Sequence, residues 1–342
     1  MEVNSPGGAV TGGGMGVWAG PAAAWAGGGR EVGGGRREEV CWAPVMKLTH
    51  VLNPVAAKPG SNLARCQAVC FESIRRAMAY TRAVCPKVEV EVVCAVYAED
   101  EPAVPEFCAA KGGLERSLVD VCQVRPARKL PLVGDIYRVA LERGTGDAVI
   151  YTNVDIGLQP FFYELVAHLL QTQCPALGIT RRNIAEEPID PAQMCLMMSQ
   201  VGERFQGMDT FVCPRSHIRE FDLGEVVIGL PTVEYAVLGN IDAACGFGCK
   251  LFKHLHANFH HGNEQVWRVD QRFCDFNDAQ TTGVLTRLKA RHPGFPPHCL
   301  FDWFQAKFLK QRPRAKGLKG RVMDLLGLRK RHPEPFDIVS GE

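Results

Sequence analysis

The sequence predicts an α/β protein built on a mostly parallel sheet with helices on both faces. Three observations carry that expectation. From residue 46 onward, short β-branched apolar runs alternate with stretches whose apolar residues recur at helical spacing. Several of the apolar runs are continuous, as strands buried on both faces are. The chain has 342 residues, 46% apolar and 22% charged, which is ample for one large core.

The elements follow in order. Residues 1–45 are mostly Gly, Ala and other small residues with a few charges (GGGREVGGGRREE) and read as a disordered leader. No apolar core of a secretory signal stands out there, and Glu31, Glu38 and Glu39 weigh against a transit peptide. Strands are expected at 47–55, 88–97, 147–156, 175–182, 209–214, 225–231 and 250–259. Helices are expected at 61–84 with Ser61 as cap, at 131–143 before Gly144 and Gly146, at 160–173 with Pro160 in the first turn, and at 232–244. Residues 183–206, with the polar run RNIAEEPIDPAQ, read as an inserted, more mobile segment. The organisation is therefore a leader (1–45), one α/β domain (46–299) and a basic helical tail (300–342).

Composition excludes some functions. A net charge of +2 does not suit a nucleic-acid binder, and no apolar run is long enough to span a membrane. The fourteen cysteines form no CxxC pair and many lie inside apolar runs, as Cys94, Cys195 and Cys213 do. They read as reduced, buried thiols, which points to the cytoplasm. Between residues 303 and 331 ten Lys or Arg face the single acid Asp324. That basic amphipathic pattern suits packing with solvated charges, or a peripheral contact with an anionic membrane.

The strongest chemical signal is Tyr151-Thr152-Asn153-Val154-Asp155-Ile156, followed by Gly157. An apolar strand runs into Asn and Asp two residues apart, which alternation would place on one face at the strand's carboxyl end. Ligands of open α/β sheets bind at that edge. Oxygen ligands there suit Mn²⁺ or Mg²⁺ carrying phosphates. The same residue types also end strands and open turns. Asp209, in GMDTFV, reads either as an acceptor-side base or as a turn residue. Arg125, Arg128 and Lys129 form a compact basic loop that suits a diphosphate or simply water. Arg181 and Arg182 end a strand whose carboxyl end would face the site. His260 and His261 are adjacent, so in an extended segment at most one faces it.

Asn153-Val154-Asp155 resembles the DxD-type motif of GT-A nucleotide-sugar glycosyltransferases, with Asn153 in the place of the first Asp. KLTHVLNPV resembles the first strand of such a domain, GMDTFV its later acidic element, and His260-His261-Gly262-Asn263 its late histidine. The resemblance spans roughly residues 47–268 and implies a single GT-A-like domain. It implies Asp155, Asn153 and His261 on Mn²⁺ or Mg²⁺. It also implies Asn53, Arg128, Lys129, Asn153 and Asp155 toward the nucleotide-sugar donor, and Asp209 as the catalytic base. The acceptor, whether glycan, lipid or protein, stays open. A catalytically inactive nucleotide- or glycan-binding protein on the same fold is the alternative. A nucleotidyltransferase fits less well, because the loop after the first strand, NPVAAKPGS, is poor in glycine.

Overall fold

The computed structural model describes residues 45–123, 129–205, 207–262 and 271–306. Residues 1–44 of the leader, Arg125, Arg128, Asn263 and the tail from 307 lie outside the described residues. Strand β1 (Met46–Leu52) leads through NPVAAKPGS into helix α1 (Asn62–Val84), where the Ser61 hydroxyl accepts from the Ala64 amide, the cap expected of it. Strands β2 (Val88–Val96) and β3 (Ala110–Gly113) follow, then the short α2 (Leu118–Val121) and α3 (Val133–Arg143). Next come β4 (Ala148–Thr152), β5 (Gly157–Leu158), α4 (Phe162–Thr172), β6 (Leu177–Ile179) and β7 (Arg182–Ile184). The chain continues through α5 (Met194–Met198), β8 (Glu203–Arg204), β9 (Thr210–Pro214) and α6 (Val233–Ala244). Strands β10 (Lys250–Phe252) and β11 (Asn258–His261) and helices α7 (Gln271–Arg291) and α8 (Leu300–Phe304) complete it.

The main sheet has seven strands in the order β10-β6-β9-β4-β1-β2-β3. All pairs are parallel except those of β9, which is antiparallel to both β4 and β6. Alternation divides the core between the two faces. Leu48, Leu52, Val92, Cys94 and Ile150 pack with α1 and α4, while Val51, Val93, Val149 and Tyr151 pack with α3, α6, α7 and α8. Helices thus cover both faces, as predicted. A second sheet, β5-β11-β7-β8, stands beside the carboxyl ends of the first.

The predicted strand 250–259 is two strands in two sheets, and 175–182 likewise divides at Thr180, because the chain must cross from the main sheet to the small one. Residues 225–231 are not a strand: Gly229 turns the chain at φ 72°, and only an isolated bridge joins Val227 to Leu132. Asn277 of α7 holds this loop instead, accepting from the Val227 amide at 2.8 Å and donating to the Pro231 carbonyl at 2.9 Å. Within the 183–206 segment, Ile184, Ile189, Met194 and Met197 pack on Cys66 and Val69 of α1 and on Phe259. The thirteen cysteines among the described residues are free thiols, most of them buried. No helix among those residues is long and apolar enough to cross a membrane.

His50, in the middle of β1, is fully buried between the Tyr163 hydroxyl (2.8 Å from Nδ1) and the Thr152 hydroxyl (2.9 Å from Nε2). Burial lowers its pKa to about 3, so the folded chain keeps a neutral ring. An unfolded chain protonates this ring near pH 6.5. Its contribution to stability is therefore complete above that pH and is lost as the pH falls toward 3. Each pH unit in this window should cost up to ~1.4 kcal/mol from this residue. Denaturant melts between pH 7 and 4, with a ring-nitrogen NMR titration showing His50 neutral at pH 5, check this.

Candidate functional site

The reversed direction of β9 determines what meets at the sheet's edge. The carboxyl ends of β1, β2, β4 and β6 lie on one side, and the amino end of β9 lies on the same side. Asp209, just before β9, therefore stands close to the residues that follow β4 and β6. Those residues are Asp155 and Arg181.

Strand β4 stops at Thr152, and Asn153 to Ile156 form a turn closed by the Ile156 amide on the Asn153 carbonyl at 3.3 Å. The alternation expected of Asn153 and Asp155 is absent, because the chain bends to enter β5. The Asn153 side-chain oxygen accepts from the Tyr151 hydroxyl at 3.0 Å. Asp155 turns instead toward β11, where its Oδ2 is 3.4 Å from His260 Nε2. Burial works against the Asp155 carboxylate. The His260 bond and the charges of His260 and Arg181 outweigh it and hold its pKa below the ordinary value.

The late histidine at the site is thus His260 and not His261. Along β11 side chains alternate, so Asn258 and His260 point one way while Phe259 and His261 point the other. His261 Nδ1 lies 3.3 Å from the Ala185 carbonyl, and its ring meets Phe259 edge-on. Asn258 donates to the Thr210 hydroxyl at 2.6 Å, which ties β11 to the start of β9.

Asp209 Oδ1 accepts from Arg181 Nη1 at 2.9 Å, both side chains being nearly buried. Arg181 also donates to Asn183 Oδ1 at 3.0 Å and stacks over the Phe205 ring at 4.0 Å from its centroid. Burial pushes the Asp209 carboxyl up, the Arg181 charge pulls it down, and the Asp155 charge pushes again. The net shift is upward. The two carboxylates thus have their pKa values moved in opposite directions.

The remaining expected residues lie elsewhere on the same edge. Asn53 is buried and donates to the Ala95 carbonyl at 2.7 Å, bridging the ends of β1 and β2. Lys129 pairs with Glu99 and sits 4.1 Å above the Tyr97 ring just beyond β2, so it is engaged within the fold. Arg128 lies outside the described residues. Arg181 could be found from its place after an apolar run. Phe205, two residues before GMDTFV, carries no signal of its own.

Among the described residues no group of three or more His, Cys, Asp or Glu side chains is arranged to hold a metal ion. Three buried acceptor atoms near the carboxylates nevertheless have no hydrogen-bond partner there: Asp155 Oδ1, Asp209 Oδ2 and Asn258 Oδ1. Unsatisfied buried oxygens of this kind are rare and suit a hard cation or a donor brought by a ligand.

The main sheet and the helices on its two faces make this chain an α/β domain. No family model matches the sequence, and no curated protein does. Among solved structures it is similar to S. aureus TarS 1–349 in complex with UDP-GlcNAc. Identity is 10% over 77% of this chain and 72% of that one, with a TM-score of 0.49. It is also similar to glucosyl-3-phosphoglycerate synthase from Mycobacterium tuberculosis. There identity is 18% over 73% of this chain and 82% of that one, with a TM-score of 0.40. The same synthase bound to Mn²⁺, UDP-glucose and phosphoglyceric acid gives 15% identity over 73% and 81%, with a TM-score of 0.39.

Removing the arginine tests the local electrostatics. Arg181→Gln leaves the Asp209 carboxylate buried without its partner and should cost about 3 kcal/mol at pH 7. The loss should shrink at lower pH, where Asp209 takes up a proton. Urea melts of the variant and the parent chain at pH 7 and pH 5 measure both effects.

Proposed function

We infer that this protein is a glycosyltransferase that takes a sugar from a nucleotide diphosphate donor. The observation that carries the reading is the pair Asp155 and Asp209, each with a buried, unpartnered oxygen, at the carboxyl edge of a mostly parallel sheet. That edge is where an open α/β sheet takes its ligand. Oxygen donors from Asp155, with Asn258 and the His260 ring beside them, suit Mn²⁺ or Mg²⁺. When bound, such a cation neutralises charge on the diphosphate leaving group. Asn153 contributes less, since Tyr151 already occupies its side-chain oxygen.

Asp209 is the acceptor-side base. Arg181 fixes one of its oxygens and leaves the other unpartnered. A carboxylate whose pKa is raised takes a proton from an acceptor hydroxyl more readily than an ordinary one. The Phe205 ring keeps the guanidinium from swinging away. The loop after β1 is held to α1 and to the segment after β2. Gln67 accepts from the Val55 amide at 2.9 Å, and Asp100 accepts from the Ala56 amide at 2.8 Å.

The reading is tested by thermal midpoints with a panel of nucleotide diphosphates, with and without Mn²⁺, since a ligand that binds the folded state raises the midpoint. One nucleotide should raise it in a Mn²⁺-dependent way, and Asp155→Ala should abolish the shift. Asp209→Asn should keep the shift and lose sugar transfer or donor hydrolysis by ~100-fold or more. A chain that responds to no nucleotide is not a nucleotide-sugar transferase.

A further inference from the structure

The turn that carries Asp155 continues directly into β5, and β5 pairs with β11, which carries His260. In that pairing Gly157 stands opposite Phe259. A Cβ on Gly157 would lie 2.3 Å from Phe259 Cζ, with Cε2 at 2.5 Å and Cε1 at 2.8 Å. Those distances are well inside contact, so the ring fills the space that any side chain at 157 would need. The ring cannot easily yield. Phe259 is fully buried, among Cys66 and Val69 of α1, Ile184 and Ile189, and Met194 and Met197 of the α5 segment. From the α1 side, the buried Ser73 hydroxyl accepts from the Leu158 amide at 2.9 Å and donates to the Cys70 carbonyl at 2.6 Å. Beyond β4, the chain from Asp155 to Leu158 is thus clamped between α1 and β11. The residue after Phe259 is the one that reaches Asp155.

We propose that Gly157 and Phe259 are positioning residues of the candidate site, and that the ring seated against the bare glycine backbone sets the approach of Asp155 to His260. Neither residue touches a ligand. They act through the two strands: the closeness of β5 to β11 fixes how far the Asp155 carboxylate stands from the imidazole. The ring also joins α5 to the Asp155 turn, because the same side chain packs on Met194 and Met197. The ligand-binding part of this proposal rests on the transferase reading. The geometric part does not.

The test uses the full chain in four forms: wild type, Gly157→Ala, Phe259→Leu, and the double variant. Crystal structures of each give the Asp155–His260 separation. It should stay near 3.4 Å in the wild type. It should open in Gly157→Ala, where the added methyl drives the strands apart, and close again in the double variant, where the smaller leucine makes room. If Gly157→Ala does not fold, Phe259→Leu alone decides the matter, because the turn loses its seat and the contact should lengthen. Titration with Mn²⁺ and the nucleotide diphosphates should show affinity lowered about 10- to 100-fold in Gly157→Ala and restored in the double variant. An unchanged Asp155–His260 contact in Gly157→Ala overturns the proposal, as does a double variant that leaves the contact open. A wild type that binds neither Mn²⁺ nor any nucleotide overturns the transferase reading while the crystallographic comparison still decides the positioning role.

Discussion

The candidate site depends on the direction of one strand. Had β9 run parallel to β4 and β6, its amino end would lie at the opposite edge of the sheet, and Asp209 would be a strand's length away from Asp155. Running antiparallel, it delivers an acidic residue from the start of a strand to the edge where its neighbours end. The main sheet therefore contributes Asp155 from the end of β4, Arg181 from the end of β6 and Asp209 from the start of β9 within one small region. The second sheet contributes His260 and Asn258 from the side.

Bringing two carboxylates together in a largely buried place is costly unless other charges offset them. Here the offset is shared unequally. Asp155 has the imidazole and feels the guanidinium, so it stays an anion. Asp209 has the guanidinium directly but is more deeply buried and faces the negative charge of Asp155, so it is drawn toward protonation. Arg181 serves both carboxylates, which is why three separate contacts, with Asp209, Asn183 and the Phe205 ring, restrain it.

Much of the fold was legible in the sequence, because the central strands are continuous apolar runs and the helices between them carry clear stripes. The helix 61–84 and its Ser61 cap are as expected. What escaped has physical causes. Helix α7 buries Asn277 and Thr281 along with Phe273 and Leu285, so its inward face is partly polar and the apolar period is muted. Asn277 holds the 225–231 loop, whose β-branched run looked like a strand, and Thr281 bonds to Thr232 just after it. Strand β3 is AKGG, with little β propensity, and it exists because Gly112 lets Val139 of α3 sit where a side chain would be. At the site, Asp155 and Asp209 could be singled out from sequence. The choice between His260 and His261 could not, since it depends on which face of β11 meets the main sheet. The fate of Asn153 depended on where β4 stops.

Under the two carboxylates lies a stack of rings. Tyr151 stands edge-on to Tyr137 at 5.9 Å and lies flat on Phe211 at 6.0 Å, and its hydroxyl reaches up to Asn153. Aromatic contacts packed into a dense interior yield little to pressure from above. The turn that begins at Asn153 therefore rises from a rigid base, held from below by the Tyr151 hydroxyl.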